Sequence, residues 1–346
     1  MTRQGMAYRL MAACAFASGL ISSCSVHEFP SETAERRSVV LNLDFNTDFP
    51  LNQIIEYTRA GSRVSDSAGD YDIRYQVRVY KIGNDGQPEA EEYIYTTETK
   101  DDVANPDHNI NMELEEGRYR FLIWADYVDN GSLNDKFYDT GNFGEITLYG
   151  DTYYGNTVFR DAFRGMTDAT ITPSGIQEIT VAMERPLARY QFITTDLDDF
   201  LTKVIEESRA SGKADDGNGT RAVDLNDYRV IFRYAGFMPS SFNMFTNKPI
   251  DAKTGIAFNA RISRISDTEA ELGFDYVFVN GTESIVPVTV EVYNSDNELI
   301  SSTDPVDVPL IRSRHTIVRG PFLTSEASGS VGINPGFDGE WNYEIK

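Results

Sequence analysis

Cys24 is the residue whose surroundings point most directly to chemistry. Arg3 and Arg9 precede a short uncharged run, Leu10 to Cys24, which ends in Ile21-Ser22-Ser23-Cys24. A basic start, a short apolar middle and small residues at the end form the pattern of a secretory signal peptide. The run falls short of the roughly 20 apolar residues that a bilayer-spanning helix needs. The chain has two cysteines, and Cys14 leaves with the signal. A lone remaining thiol forms no internal disulfide and nearly excludes Cys/His metal sites.

The Ile-Ser-Ser-Cys ending resembles the lipobox of bacterial lipoproteins. That resemblance implies cleavage between Ser23 and Cys24, with lipid on the thiol and amine of Cys24. Several acyl chains anchor a protein stably where a single chain does not. The mature protein is then expected to be tethered to a membrane rather than to span it. The alternative is an ordinary secretory signal with an incidental cysteine.

Other reactive groups are sparse. His27, His108 and His315 are far apart and read as surface or strand residues. Asp215-Asp216-Gly217-Asn218 and the group Asp126, Asp129 and Asn130 offer oxygen ligands of the kind calcium takes, but neither has the EF-hand order. Such clusters more often make turns. The chain has no G-x-S-x-G, no P-loop and no H-E-x-x-H. Gly217-Asn218-Gly219 lies in a polar loop and follows no strand. Among 54 acidic residues no glycosidase pair stands out. The expectation is a protein that is not an enzyme and holds no cofactor. Trp124 reads as core, and Trp341 as the better candidate for an exposed contact.

Net charge is −23, and −25 once Arg3 and Arg9 are gone. Such acidity argues against nucleic acid and against docking on anionic lipid heads. Nineteen Tyr and twenty Phe suit strands.

The elements that would position these groups are mostly strands. Ser25 to Arg37 is a polar tether. Val39, Leu41, Leu43 and Phe45 share one face of a first strand, and Asn46 to Asp70 is a polar connection. Tyr71 to Ile82 alternates apolar and polar residues, which predicts a half-buried antiparallel strand. Gly83-Asn84-Asp85-Gly86 turns it into a hairpin with Tyr93–Thr97. Ile110–Leu114 is a short strand, and Tyr119–Val128, apolar on both faces, is a central or crossing one. Asp139–Thr170 is expected to loop over the sandwich, and Ile176–Met183 to close it.

Glu184-Arg185-Pro186 is the expected domain junction, because proline breaks strand pairing. Beyond it, Ala188–Thr195 starts a new strand and Leu197–Arg209 has the apolar stripe of a helix. Further strands are expected at Tyr228–Tyr234, Ile256–Ile265, Ala270–Val279, Val286–Tyr293 and Thr316–Leu323, with Glu340–Ile345 as a last one. Many short strands, one helix and closely spaced turns predict an all-β protein of two tandem antiparallel sandwiches. The expected layout is a signal peptide at 1–23, a tether at 24–37, one domain at 38–185 and another at 186–346.

This layout resembles the type V fimbrial proteins of Bacteroidales, the FimA/FimB-like group of fimbrillins and fimbrial anchor lipoproteins. The residues that carry it are the lipobox, Tyr119–Asp129 (YRFLIWADYVD), Glu184–Asp196 (ERPLARYQFITTD), Tyr228–Asn243 (YRVIFRYAGFMPSSFN) and His315–Thr324 (HTIVRGPFLT). The resemblance implies two transthyretin-like sandwiches, outer-membrane display by lipid, and fimbrial subunits as partners. It also implies assembly by β-strand addition. In that family an arginine-specific protease frees the first strand of stalk subunits. Here the strand would be Val39–Phe45, cut at Arg59 or Arg63, with Arg36 and Arg37 as lesser candidates. Anchor proteins of the family keep their lipid and are not trimmed this way. The alternative is that Arg59 and Arg63 are plain loop charges.

Two functions follow. One is a structural, anchor or accessory subunit of a fimbria, with a host or bacterial surface ligand. The other is a surface glycan-binding lipoprotein of a nutrient-uptake system, which should show an exposed row of aromatic residues.

Overall fold

A computed structural model describes residues 35–45, 68–210, 223–280 and 283–324, and the backbone of 331–334 and 340–345. In chain order its first half places β1 (Arg37–Phe45), β2 (Tyr71–Lys81), β3 (Tyr95–Asp102), β4 (Asn109–Leu114), β5 (Gly117–Asp129), β6 (Tyr138–Asp139), β7 (Ile146–Leu148), β8 (Ala162–Ile171) and β9 (Gln177–Glu184). Seven of these form one sheet in the order β3-β2-β5-β8-β9-β1-β4.

Alternation drives the packing, because successive side chains of a strand point to opposite faces. Val39, Leu41 and Leu43 of β1 and Ile73, Tyr75, Val77 and Val79 of β2 enter the same apolar core. The sheet turns a corner between β8 and β9, which pair only at Arg164–Glu184 and Gly165–Met183. Gly165 permits that approach. A Cβ there would lie 2.5 Å from Met183 Sδ and 2.8 Å from a Val181 methyl.

The second half places β10 (Leu187–Thr194), α1 (Leu197–Ala210), β11 (Arg229–Tyr234), β12 (Met238–Asn243), β13 (Lys248–Lys253), β14 (Ala257–Arg261), β15 (Ser263–Arg264) and β16 (Ala270–Phe278). It ends with β17 (Glu283–Tyr293), β18 (Leu299–Ser302), β19 (Val306–Ile311), β20 (His315–Gly320), β21 (Val331–Asn334) and β22 (Glu340–Ile345). One sheet runs β15-β16-β10-β20-β22-β21, and a second runs β14-β11-β17-β18 with β19 also on β17. Val286, Val288, Val290 and Val292 of β17 meet Tyr190 and Phe192 of β10 in a second core. α1 buries Leu197 and Phe200 against this core, and Leu201 and Val204 half-cover it. Asp198 and Asp199 in its first turn and Arg209 in its last complement the helix dipole.

The all-β sandwich architecture with one helix agrees with the reading from sequence. Among the described residues no helix is long and apolar enough to cross a membrane. The β2–β3 pair is the expected hairpin.

Several expectations need correction. Asp139–Thr170 is not all loop, because β8 occupies Ala162–Ile171 and pairs with β5 along its length. Its inward half, Ala162 to Gly165, carries Arg164 among apolar residues, and that charge obscured the strand. β2 does not leave its polar face to solvent, since Asp72 and Arg74 on that face are buried. Ile256–Ile265 divides into β14 and β15, which join different sheets. The sheets are also not wholly antiparallel: β1–β9, β10–β20 and β20–β22 are parallel pairs. Met238–Asn243 and Val306–Ile311 are strands that Pro239 and Pro309 hid. A fourth sheet, β13-β12-β7-β6, takes strands from both halves of the chain.

Candidate assembly groove and inter-sandwich junction

β1 lies between β4, antiparallel, and β9, parallel. Its register runs from Arg37 opposite Leu114 to Asn42 opposite Asn109 on one side, and from Val39 opposite Gln177 to Phe45 opposite Met183 on the other. Val39 and Leu41 are fully buried and Leu43 nearly so, whereas Ser38 and Asp44 face solvent. Burying three such side chains contributes about 5–9 kcal/mol. β1 therefore fills a groove whose floor is the first core and whose walls are two strand edges.

The far end of β1 meets a polar latch. Leu43 N–H donates to the carbonyl of His108 at 2.9 Å, and the Phe45 ring lies 4.7 Å from the His108 ring. His108 sits at φ 59°, in the left-handed region that few non-glycine residues occupy. Its Nδ1 meets the Tyr75 hydroxyl at 2.8 Å. Burial holds the His108 imidazole below its ordinary pKa, against the opposing pull of Asp101 and Asp107.

The residues singled out from sequence divide by position. Ser23, Cys24, Arg59, Arg63, His27, Trp341's side chain and the 215–218 cluster lie outside the described residues. Arg36 is exposed just before β1, and Arg37 is the first residue of the strand, half-buried and 3.6 Å from Glu116. Trp124 is fully buried, edge-on to Tyr138 at 5.6 Å.

Asp126, one of the candidate calcium ligands, is claimed by Arg74. The guanidinium grips it through Nε at 2.9 Å and Nη2 at 2.7 Å. Arg74 Nη1 also donates to the Leu133 carbonyl at 2.8 Å and pairs with Asp135 at 2.9 Å. Among the described residues no group of three His, Cys, Asp or Glu side chains is placed to hold a metal.

The two cores are joined by buried charge. Arg160 Nη1 donates to Asp275 Oδ1 at 2.8 Å, and both side chains are at most 2% exposed. The hydroxyls of Tyr153 and Tyr234 donate to Asp275 Oδ2 at 2.6 and 2.7 Å, and Tyr190 donates to Tyr234 at 3.1 Å. The Arg160 guanidinium lies 4.1 Å from the Tyr153 ring centre. Burial holds the Asp275 carboxyl above its ordinary pKa, while Arg160 and the two hydroxyls stabilise its charged form. Beside this group Arg185 clamps Asp161 through two bonds of 2.8 and 3.0 Å. Burial still pushes Asp161 up to about 6. These contacts tie residues 153–161 of the first half to β16 and to the start of the second half.

A family model for a family of unknown function, DUF6562, matches residues 35–346. The chain belongs to this family. The DUF6562 match begins two residues before β1, so it takes in the groove, its filling strand and the junction. No curated protein matches the chain. Solved structures with a similar course include a cell adhesion protein from Bacteroides ovatus, with 13% identity, a TM-score of 0.43, and coverage of 81% of this chain and 90% of that one. The fimbrial anchor protein Mfa2 from Porphyromonas gingivalis shows 11% identity, a TM-score of 0.38 and coverage of 78% and 82%. A fimbrial assembly protein from Parabacteroides distasonis shows 10% identity, a TM-score of 0.35 and coverage of 86% and 94%.

Sequence reasoning did not single out Arg160, Asp161 or Asp275 in this DUF6562 chain. A signal was present. Arg160 and Asp161 sit inside Val158-Phe159-Arg160-Asp161-Ala162-Phe163, and Asp275 sits between Phe274 and Tyr276. Charges flanked by aromatic residues in an otherwise apolar run need a buried partner. Which charge met which was fixed only by the fold.

Proposed function

We propose that this chain is a non-enzymatic surface lipoprotein that serves as a structural, anchor or accessory subunit of a fimbria. The observation that carries the reading is β1, an N-terminal strand seated between two strand edges over an apolar floor. Such a groove accepts another strand of the same pattern. Main-chain hydrogen bonds from β4 and β9 supply the joint, and pockets at alternate positions set its register. A donor must carry apolar side chains at three alternate positions to replace Val39, Leu41 and Leu43.

In this reading the signal is cut between Ser23 and Cys24, Cys24 carries lipid in the outer membrane, and residues 38–185 and 186–346 are two domains. The position of β1 separates the candidate cuts. A cut at Arg59 or Arg63 leaves β1 as a short, displaceable peptide. A cut after Arg36 or Arg37 removes the anchor and leaves the groove filled. The acidic surface supports contact with proteins and glycans in preference to nucleic acid.

The test has two parts. Intact mass and N-terminal sequence of the protein from its native membrane should show an acylated Cys24 with the chain whole. Mixing with the fimbrial subunits of its own locus should give a complex that resists dilution. Isolated monomers persisting in that mixture would overturn the assembly reading.

A further inference from the structure

A cleft of about 1370 Å³ lies between the two cores. One wall comes from residues 129–157 of the first half, the other from residues 225–229 and from β14, β15 and β16. The volume exceeds the roughly 300–1,000 Å³ of a site for one small molecule. It has room for several linked units of an oligomer.

Two tyrosines define its chemistry. Tyr149 and Tyr154 line the cleft and remain 48% and 57% exposed. A tyrosine left half out of the fold offers an apolar ring face and a polar tip. That combination suits a ligand with apolar faces and polar edges, as a sugar ring has. Across the cleft Asn226 and Asn259 are exposed, and a side-chain amide both donates to and accepts from hydroxyls.

Charge narrows the class. Four acidic and four basic side chains line the cleft, in a chain with 54 acidic and 31 basic residues. Most of them are already engaged. Lys136 binds Asp129 at 2.7 Å, Arg74 binds Asp135 at 2.9 Å, and Arg229 donates to Asn297 at 2.6 Å. Asp151 and Arg261 form no ion pair among the described residues. A balanced cleft in a chain of net charge −23 favours an uncharged ligand, since the surrounding field repels an acidic one.

The tyrosine-bearing stretch is also held in place. Asn156 N–H donates to the Phe274 carbonyl at 3.0 Å, and Phe274 N–H returns a bond to Asn156 Oδ1 at 3.2 Å. Gly155 lies so close to the Phe258 ring that a Cβ would sit 2.3 Å from it. A wall fixed beforehand loses little entropy when a ligand binds.

We propose that this cleft binds an uncharged oligosaccharide. Tyr149 and Tyr154 stack on sugar faces, and Asp151, Asn226, Asn259 and Arg261 take its hydroxyls. The proposal goes beyond the function above and rests on it only for display outside the cell. Its test uses the purified full chain alone, so failure of subunit assembly leaves it standing.

The test is native electrophoresis through gels that contain dextran, yeast mannan, arabinoxylan or galactomannan, with hyaluronan and polygalacturonate as acidic controls. At least one neutral polysaccharide should retard the protein, and neither acidic one should. The double variant Tyr149→Ala/Tyr154→Ala should lose at least about tenfold in affinity, with its melting temperature unchanged. Asn259→Ala in the opposite wall should weaken binding as well, and Tyr93→Ala, outside the cleft, should not. Retardation by none of the neutral polymers, retardation by an acidic one alone, or retention that survives the double substitution would overturn the proposal.

Discussion

Asp275→Asn is the substitution that most directly probes how the two cores are held together. The change removes one charge and keeps the shape. Arg160 stays buried, at most 2% exposed, and loses the carboxylate it meets at 2.8 Å. Tyr153 and Tyr234 both donate to Oδ2, so an amide nitrogen placed there leaves a half-buried and a buried hydroxyl without an acceptor. Stranding one partner of a buried ion pair costs about 3–5 kcal/mol. Folded proteins have only about 5–15 kcal/mol to lose. Urea unfolding followed by tryptophan fluorescence should therefore show a midpoint lowered by about 1 M or more, with slopes near 1–3 kcal/mol per molar. Arg160→Met added to Asp275→Asn should restore at least half of the loss, because it removes the stranded cation. A loss under about 1 kcal/mol, or no recovery in the double variant, would refute the claim that this pair locks the junction.

The remaining predictions are narrower. Leu41→Ala should cost about 2–5 kcal/mol in a urea titration, since its side chain is fully buried in the groove, whereas Asp44→Ala on the same strand should change little. Gly165→Ala should destabilise the fold by a comparable amount, because its Cβ would meet Met183 and Val181 at the sheet corner. The sign of the pH effect follows from His315, which burial and the positive charges of Arg189 and Arg185 push down to about 2 from an ordinary 6.5. Below pH 6.5 only the unfolded chain takes up this proton, so stability falls with pH through that range by on the order of 1 kcal/mol per unit. His315→Gln should remove that slope. Asp161, raised to about 6, acts in the opposite sense: between 6 and its ordinary 3.8 only the folded chain holds the proton, so acid stabilises it. Asp161→Asn should thus steepen the acid loss measured by unfolding at pH 7, 6, 5 and 4.

The strand pattern was legible wherever period two was clean. β4, β9, β11 and the inward faces of β1 and β17 alternate, and their burial follows the alternation. The helix was legible because its apolar residues recur at helical spacing. Legibility failed where a charge or a proline entered a strand. Arg164 hid β8, Pro239 hid β12 and Pro309 hid β19. The cleft was not legible at all, since Tyr149 and Asn259 stand more than a hundred residues apart and share a surface only through the packing of both halves.

The sequence by itself determined a strongly acidic, all-β chain with one helix, because these follow from composition and local periodicity. Only the tertiary structure decided that β1 fills a groove between β4 and β9, that Arg74 takes Asp126, and that Arg160 and Asp275 join the two cores. The physical reason is range. Alternation and helical spacing act over a few neighbouring residues, whereas strand order and the pairing of buried charges depend on which distant segments share one interior. A buried carboxylate must find a partner, but nothing in its own neighbourhood says which.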